Sequence, residues 1–199
     1  MKPEIILIRA YGRDDGGRAI PWGIVNIASY LKKYGYAVTV IDRKHTYYPI
    51  RKIIKDLSRS NIAYVGISAL ASQAQDAEFL CKYLRRMKKK IILGGLHYTI
   101  SPQEGLEIGD YVFKGEGEQS LLDFLENGPT GRIYEAKPLL DLDAIPLPDE
   151  ELLKRLYLNK CGFAILTSRG CPYNCTFCLD KKYTFNKIIP DIFLKNSNT

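Results

Sequence analysis

The strongest constraint on this chain is a regular exchange of two periodicities between residues 4 and 128. Short β-rich runs read as five strands: EIILIR (4–9), AVTVID (37–42), YVGIS (64–68), IILGG (91–95) and DYVFKG (110–115). Helical patterns fall between them, at about 22–34, 51–60, 73–88 and 101–109, and a last one at 117–128 follows the fifth run. Pro21 opens the first helix and Gly35 stands just past its end, the expected asymmetry of helix termini. Strands alternating with helices predict an α/β fold. The expectation is an open, doubly wound, mostly parallel sheet of five strands, covered on both faces. Such sheets bind ligands beyond the carboxyl ends of their strands. The segments to watch are therefore 9–11, 42–45, 68–72, 94–97 and 114–118.

Regularity lapses from 129 to 148, where LLDLDAIPLPDEE reads as an extended, proline-pinned linker before a short helix over 150–157. GFAILTS (162–168) then reads as a strand running directly into a cysteine-rich loop. The resulting division is an α/β domain over 1–128, a linker with a short helix over 129–158, and the start of a second domain over 159–199.

Composition excludes several classes. At 199 residues and 46% hydrophobic, the chain can bury one core of ordinary size. The net charge of +7 is not gathered in a tail. Its densest run, KYLRRMKKK (82–90), closes a helix, where cations complement the helix dipole, and no nucleic-acid motif accompanies it. No apolar stretch approaches membrane-spanning length, and the first run is too short for a signal peptide. Three of the five cysteines crowd into eight residues, unlike a secreted disulfide framework, so a reducing cytoplasm is the expected location.

Cys171, Cys175 and Cys178 have the spacing C-x3-C-x2-C. Thiolates this close can converge on one soft metal centre. A structural zinc site is the bland alternative, but it favours paired C-x2-C knuckles and four ligands. Cys161 could supply a fourth, although the intervening strand would hold it away. Cys81, on a helix of the first domain, reads as a buried apolar residue. Three thiolates on a four-iron cluster would leave one iron open.

The segment TSRGCPYNCTFC (167–178) resembles the signature of radical S-adenosylmethionine (SAM) enzymes. That resemblance implies that Cys171, Cys175 and Cys178 hold a [4Fe-4S] cluster whose open iron chelates SAM. It implies cleavage of the sulfonium to a 5′-deoxyadenosyl radical, and places Phe177 near the adenine.

Ser68-Ala69-Leu70 and Gly94-Gly95 fall at the ends of the third and fourth strands. Glycines there let backbone approach a ligand, or simply make tight turns. With residues 21–42, GGLHYT (94–99), KGEGEQSL (114–121) and DLDAIPLPD (141–149), the pattern resembles the N-terminal domain of cobalamin-binding radical SAM proteins. The resemblance covers residues 4–180. It implies a cobalamin-binding, flavodoxin-like sheet followed by the start of a radical SAM partial TIM barrel. Ser68, Leu70, Gly94 and Gly95 would then line the slot for the nucleotide tail of a corrinoid.

The Asp-x-His-x-x-Gly motif that supplies a lower cobalt ligand in other cobalamin proteins is absent after the first strand. His45 and His97 read as loop or ligand-edge residues, so a corrinoid would bind base-off without a protein histidine. Arg9, Tyr11 and the RDDGG loop (13–17) are candidates for polar contacts at the crevice, against the plainer reading of a solvated loop. GEGE (115–118) opens a helix whose amides favour anions.

A complete radical SAM barrel takes roughly 200 residues or more, and 21 follow Cys178. No catalytic residue is therefore assigned. The partners expected are small-molecule cofactors and a missing or separate barrel segment, with no nucleic acid. The alternative is a non-catalytic corrinoid- or metal-binding module. A zinc-stabilised interaction domain is more distant.

Overall fold

The computed structural model describes residues 2–12, 20–43, 50–59, 62–136, 145–148, 150–157, 169, 173 and 175–178. Five strands form where the β-rich runs predicted them: β1 (Glu4–Arg9), β2 (Ala37–Asp42), β3 (Ile62–Ser68), β4 (Lys90–Gly94) and β5 (Tyr111–Lys114). A sixth, β6 (Ile133–Glu135), joins the edge, so the sheet has six strands rather than five. The order is β2-β1-β3-β4-β5-β6 and all five pairings are parallel. The chain reverses its direction of winding between β1 and β3, the switch point at which such sheets open a crevice.

Helices cover both faces because the strands are apolar on both. One face packs α1 (Trp22–Lys33) and α6 (Glu118–Asn127) against Ile5, Leu7, Val38, Val40, Ile92 and Phe113. The other packs α2 (Ile50–Arg59), α3 (Ala74–Arg86), α4 (Leu96–Ile100) and α5 (Pro102–Ile108) over Ile6, Ile8, Val65, Ile67, Ile91 and Leu93. A 3-10 turn (Ala71–Gln73) leads into α3, and α7 (Glu150–Tyr157) forms where the short helix was predicted.

Helix α1 shows the local logic. Ile24, Val25, Ala28 and Leu31 recur at helical spacing on its buried side. Lys32 and Lys33 sit at the negative end of its dipole. Gly35, at φ +81°, then turns the chain into β2. Cys81 is buried among the α3-side residues as predicted. Helix α4, unseen in the sequence, starts directly at the Gly94-Gly95 pair and buries Tyr98.

β6 has its own explanation. The Arg132 carbonyl accepts from Val112 N, and the Ala136 amide donates to the Lys114 carbonyl. Tyr134 stacks on Phe113 at 4.7 Å and meets Phe124 edge-on. Together with Tyr64 and Tyr111 these rings form one aromatic cluster, a use for part of the high tyrosine content.

Candidate functional site: a slot at the carboxyl edge of the sheet

The parallel register brings the ends of β1, β3, β4 and β5 to one edge. There α1 and α6 stand off the sheet and leave a cavity of about 390 Å³. Its floor is Leu7, Gly66, Ile92 and Phe113; its roof is Gly23, Ile24, Asn26 and Ile27 from α1 with Gly117, Glu118 and Leu121 from α6. Ser68, Gly94, Gly95, Leu96, Thr99, Gly115, Glu116 and Arg169 form the rim.

Glycine lets the backbone pack closely around this slot. A Cβ on Gly66 would lie 2.7 Å from Leu7 Cδ2, and one on Gly117 would lie 2.7 Å from Ile27 Cδ1. Gly95 is at φ +86°, and a Cβ there would meet the Ala69 carbonyl and Ser68 Oγ, both at 2.7 Å. A side chain at Gly95 is excluded by backbone as well as by conformation.

The rim is held by short-range hydrogen bonds. Ala69 N donates to the Gly94 carbonyl at 3.1 Å, and His97 N to the Ala69 carbonyl at 3.1 Å. Thr99 Oγ1 donates to the Gly95 carbonyl at 2.9 Å and accepts from Gly115 N at 3.0 Å, tying the end of β4 to the end of β5. Ser68, Gly94 and Gly95 therefore line one cavity, as their strand-end positions predicted. Leu70 does not line it; its side chain is exposed just beyond β3.

Arg169 closes the mouth. Its guanidinium lies 2.8 Å from Glu118 Oε1 and 3.5 Å from Glu116 Oε1. Glu118 is 3% exposed and occupies the first turn of α6, where the helix dipole also favours a carboxylate. Burial works against the Arg169 charge, but the two carboxylates outweigh it and its pKa is raised above the ordinary value. The carboxylates of the GEGE segment thus engage the Arg169 cation.

The other candidates lie apart. Arg9 forms a forked pair with the buried Asp42 at 2.8 and 2.6 Å, and Arg43 forms another with Asp76 at 2.8 and 2.5 Å. Tyr11 is exposed, and its amide donates to Asp76. His97 Nε2 lies 3.3 Å from Glu104 Oε2 and is not part of the slot wall. Cys175 is exposed and Cys178 partly so, with the Cys178 amide donating to the Cys175 carbonyl in a tight turn. Phe177 is 89% exposed. Cys171, Cys161, His45, residues 13–17 and the strand expected over 162–168 lie outside the described residues. Among the described residues, no group of three or more His, Cys, Asp or Glu is placed to hold a metal.

Sequence reasoning missed Gly66, Asn26 and Arg169, whereas Gly117 lies in the strand-end segment 114–118 that it singled out. A glycine inside a strand, as in YVGIS, is a signal for close approach and marks Gly66. Asn26 and Arg169 carry no local signal, because their place at the slot arises only from contacts with distant elements.

An apolar, glycine-walled slot over the switch point of a parallel sheet defines a small-molecule-binding α/β domain. The family model of the B12 binding domain matches residues 8–125, more than half of the chain, and the chain belongs to that family. It is 29% identical over 187 residues to an uncharacterized methyltransferase of Pyrococcus horikoshii, covering 79% of this chain and 40% of that protein. It is 30% identical over 128 residues to the bacteriochlorophyllide d C-8(2)-methyltransferase of Chlorobaculum tepidum, covering 60% of this chain and 28% of that one. The chain thus spans well under half the length of these curated relatives. The fold matches that of the cobalamin-dependent SAM radical enzyme OxsB, solved with aqua-cobalamin bound, at a TM-score of 0.74 and 21% identity over 88% of this chain and 28% of that one.

Among the described residues, no helix is long and apolar enough to cross a membrane.

Proposed function

We propose that this chain binds a corrinoid in the slot and a [4Fe-4S] cluster with SAM on the cysteine loop. It would serve radical methyl transfer, cyclisation or rearrangement, together with barrel sequence not contained in these 199 residues. Residues 1–128 would be the corrinoid domain, 129–158 the linker, and 159–199 the start of the radical domain, working in a reducing cytoplasm. The observation that carries this reading is the position of Arg169. It stands two residues ahead of Cys171, yet it lines the slot and pairs with Glu118. Arg169, at the mouth of the cavity, would thus join the corrinoid slot to the cysteine motif that follows it in sequence.

The slot fits the tail of a corrinoid by chemistry. Its floor and roof are largely apolar, its cavity is about 390 Å³, and polar groups gather at the mouth. Ser68, Gly94 and Gly95 would hold the nucleotide tail, and Leu70 would lie at the outer edge of the bound group. Cys171, Cys175 and Cys178 would ligate the cluster, with Phe177 covering the adenine of SAM. When bound, the cluster supplies one-electron reduction of SAM, and the corrinoid a metal centre for methyl or electron transfer. The residues of this chain bind and orient both groups. The methyltransferase relatives support this class of reaction.

Anaerobic iron–sulfur reconstitution tests the cluster. The expected product is brown, with a broad charge-transfer band and about four irons per chain, lost on Cys178→Ala. Stoichiometric zinc without iron would remove the radical SAM assignment.

A further inference from the structure

Most polar side chains of the slot, Ser68, Thr99, Glu116, Glu118 and Arg169, belong to the strand ends and the start of α6. The remaining lining is apolar with a single exception among the described residues, Asn26 of α1. Asn26 is 8% exposed and lies on the same side of α1 as the slot-lining Gly23 and Ile27. Among the described residues its carboxamide has no hydrogen-bond partner, whereas Ser29 of the same helix bonds back to the Val25 carbonyl. The Asn26 amide atoms face the open cavity, so a ligand that fills the slot must either meet their donors and acceptor or leave them desolvated and unpaired, which is costly.

We infer that Asn26 reads the base of the nucleotide tail, and that the slot selects a corrinoid with a purine-type base over one carrying dimethylbenzimidazole. This inference rests on the corrinoid reading of the slot. A carboxamide offers a donor and an acceptor side by side, the pair that matches the N6 and N1 edge of an adenine whose imidazole nitrogens are taken up by the ribose and by the side facing cobalt. Dimethylbenzimidazole, unbound from cobalt, presents one acceptor nitrogen and two methyl groups, and so leaves half of the Asn26 amide unmet. A site built to hydrogen-bond discriminates against the analogue lacking the group, because its own buried polar atoms are then left unpaired. Such selectivity needs no further charge, and the ion pairs at the mouth are already matched to one another.

The test is a spectroscopic titration of the whole chain with adeninylcobamide, cobalamin and base-less cobinamide. It is run on the native protein and on Asn26→Leu and Asn26→Ala. The native protein is expected to bind adeninylcobamide about tenfold more tightly than cobalamin, the scale of one well-placed hydrogen bond. Asn26→Leu should abolish or invert that ratio while unfolding at the same temperature or higher, because leucine is the better helix former. Asn26→Ala should erase it without adding bulk. A native protein that binds both corrinoids equally, or a preference that survives both substitutions, overturns the inference and leaves the corrinoid reading intact. Failure to bind any of the three removes both.

Discussion

Three glycines and one cysteine carry tests at the scale of single residues. Gly66 faces the slot from the middle of β3, and a side chain there must displace Leu7, itself part of the floor. Gly66→Val is expected to weaken corrinoid binding at least tenfold in a direct titration, at a stability cost of about 1–3 kcal/mol from overpacking. Gly95→Ala is a backbone lesion and should cost about 1–3 kcal/mol in urea unfolding. Gly117→Ala, which meets only the flexible end of Ile27, should cost less.

Cys81 provides a pH test. Burial pushes its thiol from the ordinary 9.0 up to about 12, the nearby Arg85 opposing only weakly. The folded state therefore holds its proton where the unfolded chain releases it. The associated stability is complete below pH 9 and is lost as pH rises toward 12. Urea unfolding between pH 8 and 11 should show a falling free energy, with a shallower slope in Cys81→Ala. An unchanged slope would contradict this assignment. Iodoacetamide at pH 8 should label Cys175, which is exposed, well before Cys81.

At the scale of elements, the five long strands and α1, α2, α3, α5, α6 and α7 were legible because each carries its own periodicity and end signals. Pro21 and Gly35 around α1 are the clearest case. β6 was not legible. Three residues cannot display a period, and Gly131 just before it reads as a turn. Its place is decided by distant partners instead: Tyr134 on Phe113, and Arg132, whose guanidinium donates to the carbonyls of Leu106, Gly109 and Asp110. Arg132→Ala should cost about 1–3 kcal/mol in urea unfolding and should raise hydrogen exchange first in β6 and the end of α5. α4 escaped for a similar reason. Five residues starting at a glycine pair look like a loop until Tyr98 finds its burial site.

At the scale of the whole molecule, the sheet edge was legible and the depth of the slot was not. Strand ends locate a crevice in any parallel α/β fold, so Ser68, Gly94 and Gly95 could be placed in advance. The slot is lined jointly by Gly23 of α1, Gly66 of β3 and Gly117 just before α6, three separate segments of the chain. That Arg169 reaches the mouth depends on its pairing with Glu118, 51 residues away in sequence. Neither leaves a local pattern. The central claim is that this slot receives a corrinoid, and titration with hydroxocobalamin followed by gel filtration tests it most directly. The account predicts roughly one cobalamin retained per chain, a visible spectrum shifted to the base-off form, and loss of both in Gly66→Val. Free cobalamin eluting apart from a folded protein, with no spectral change, would contradict it.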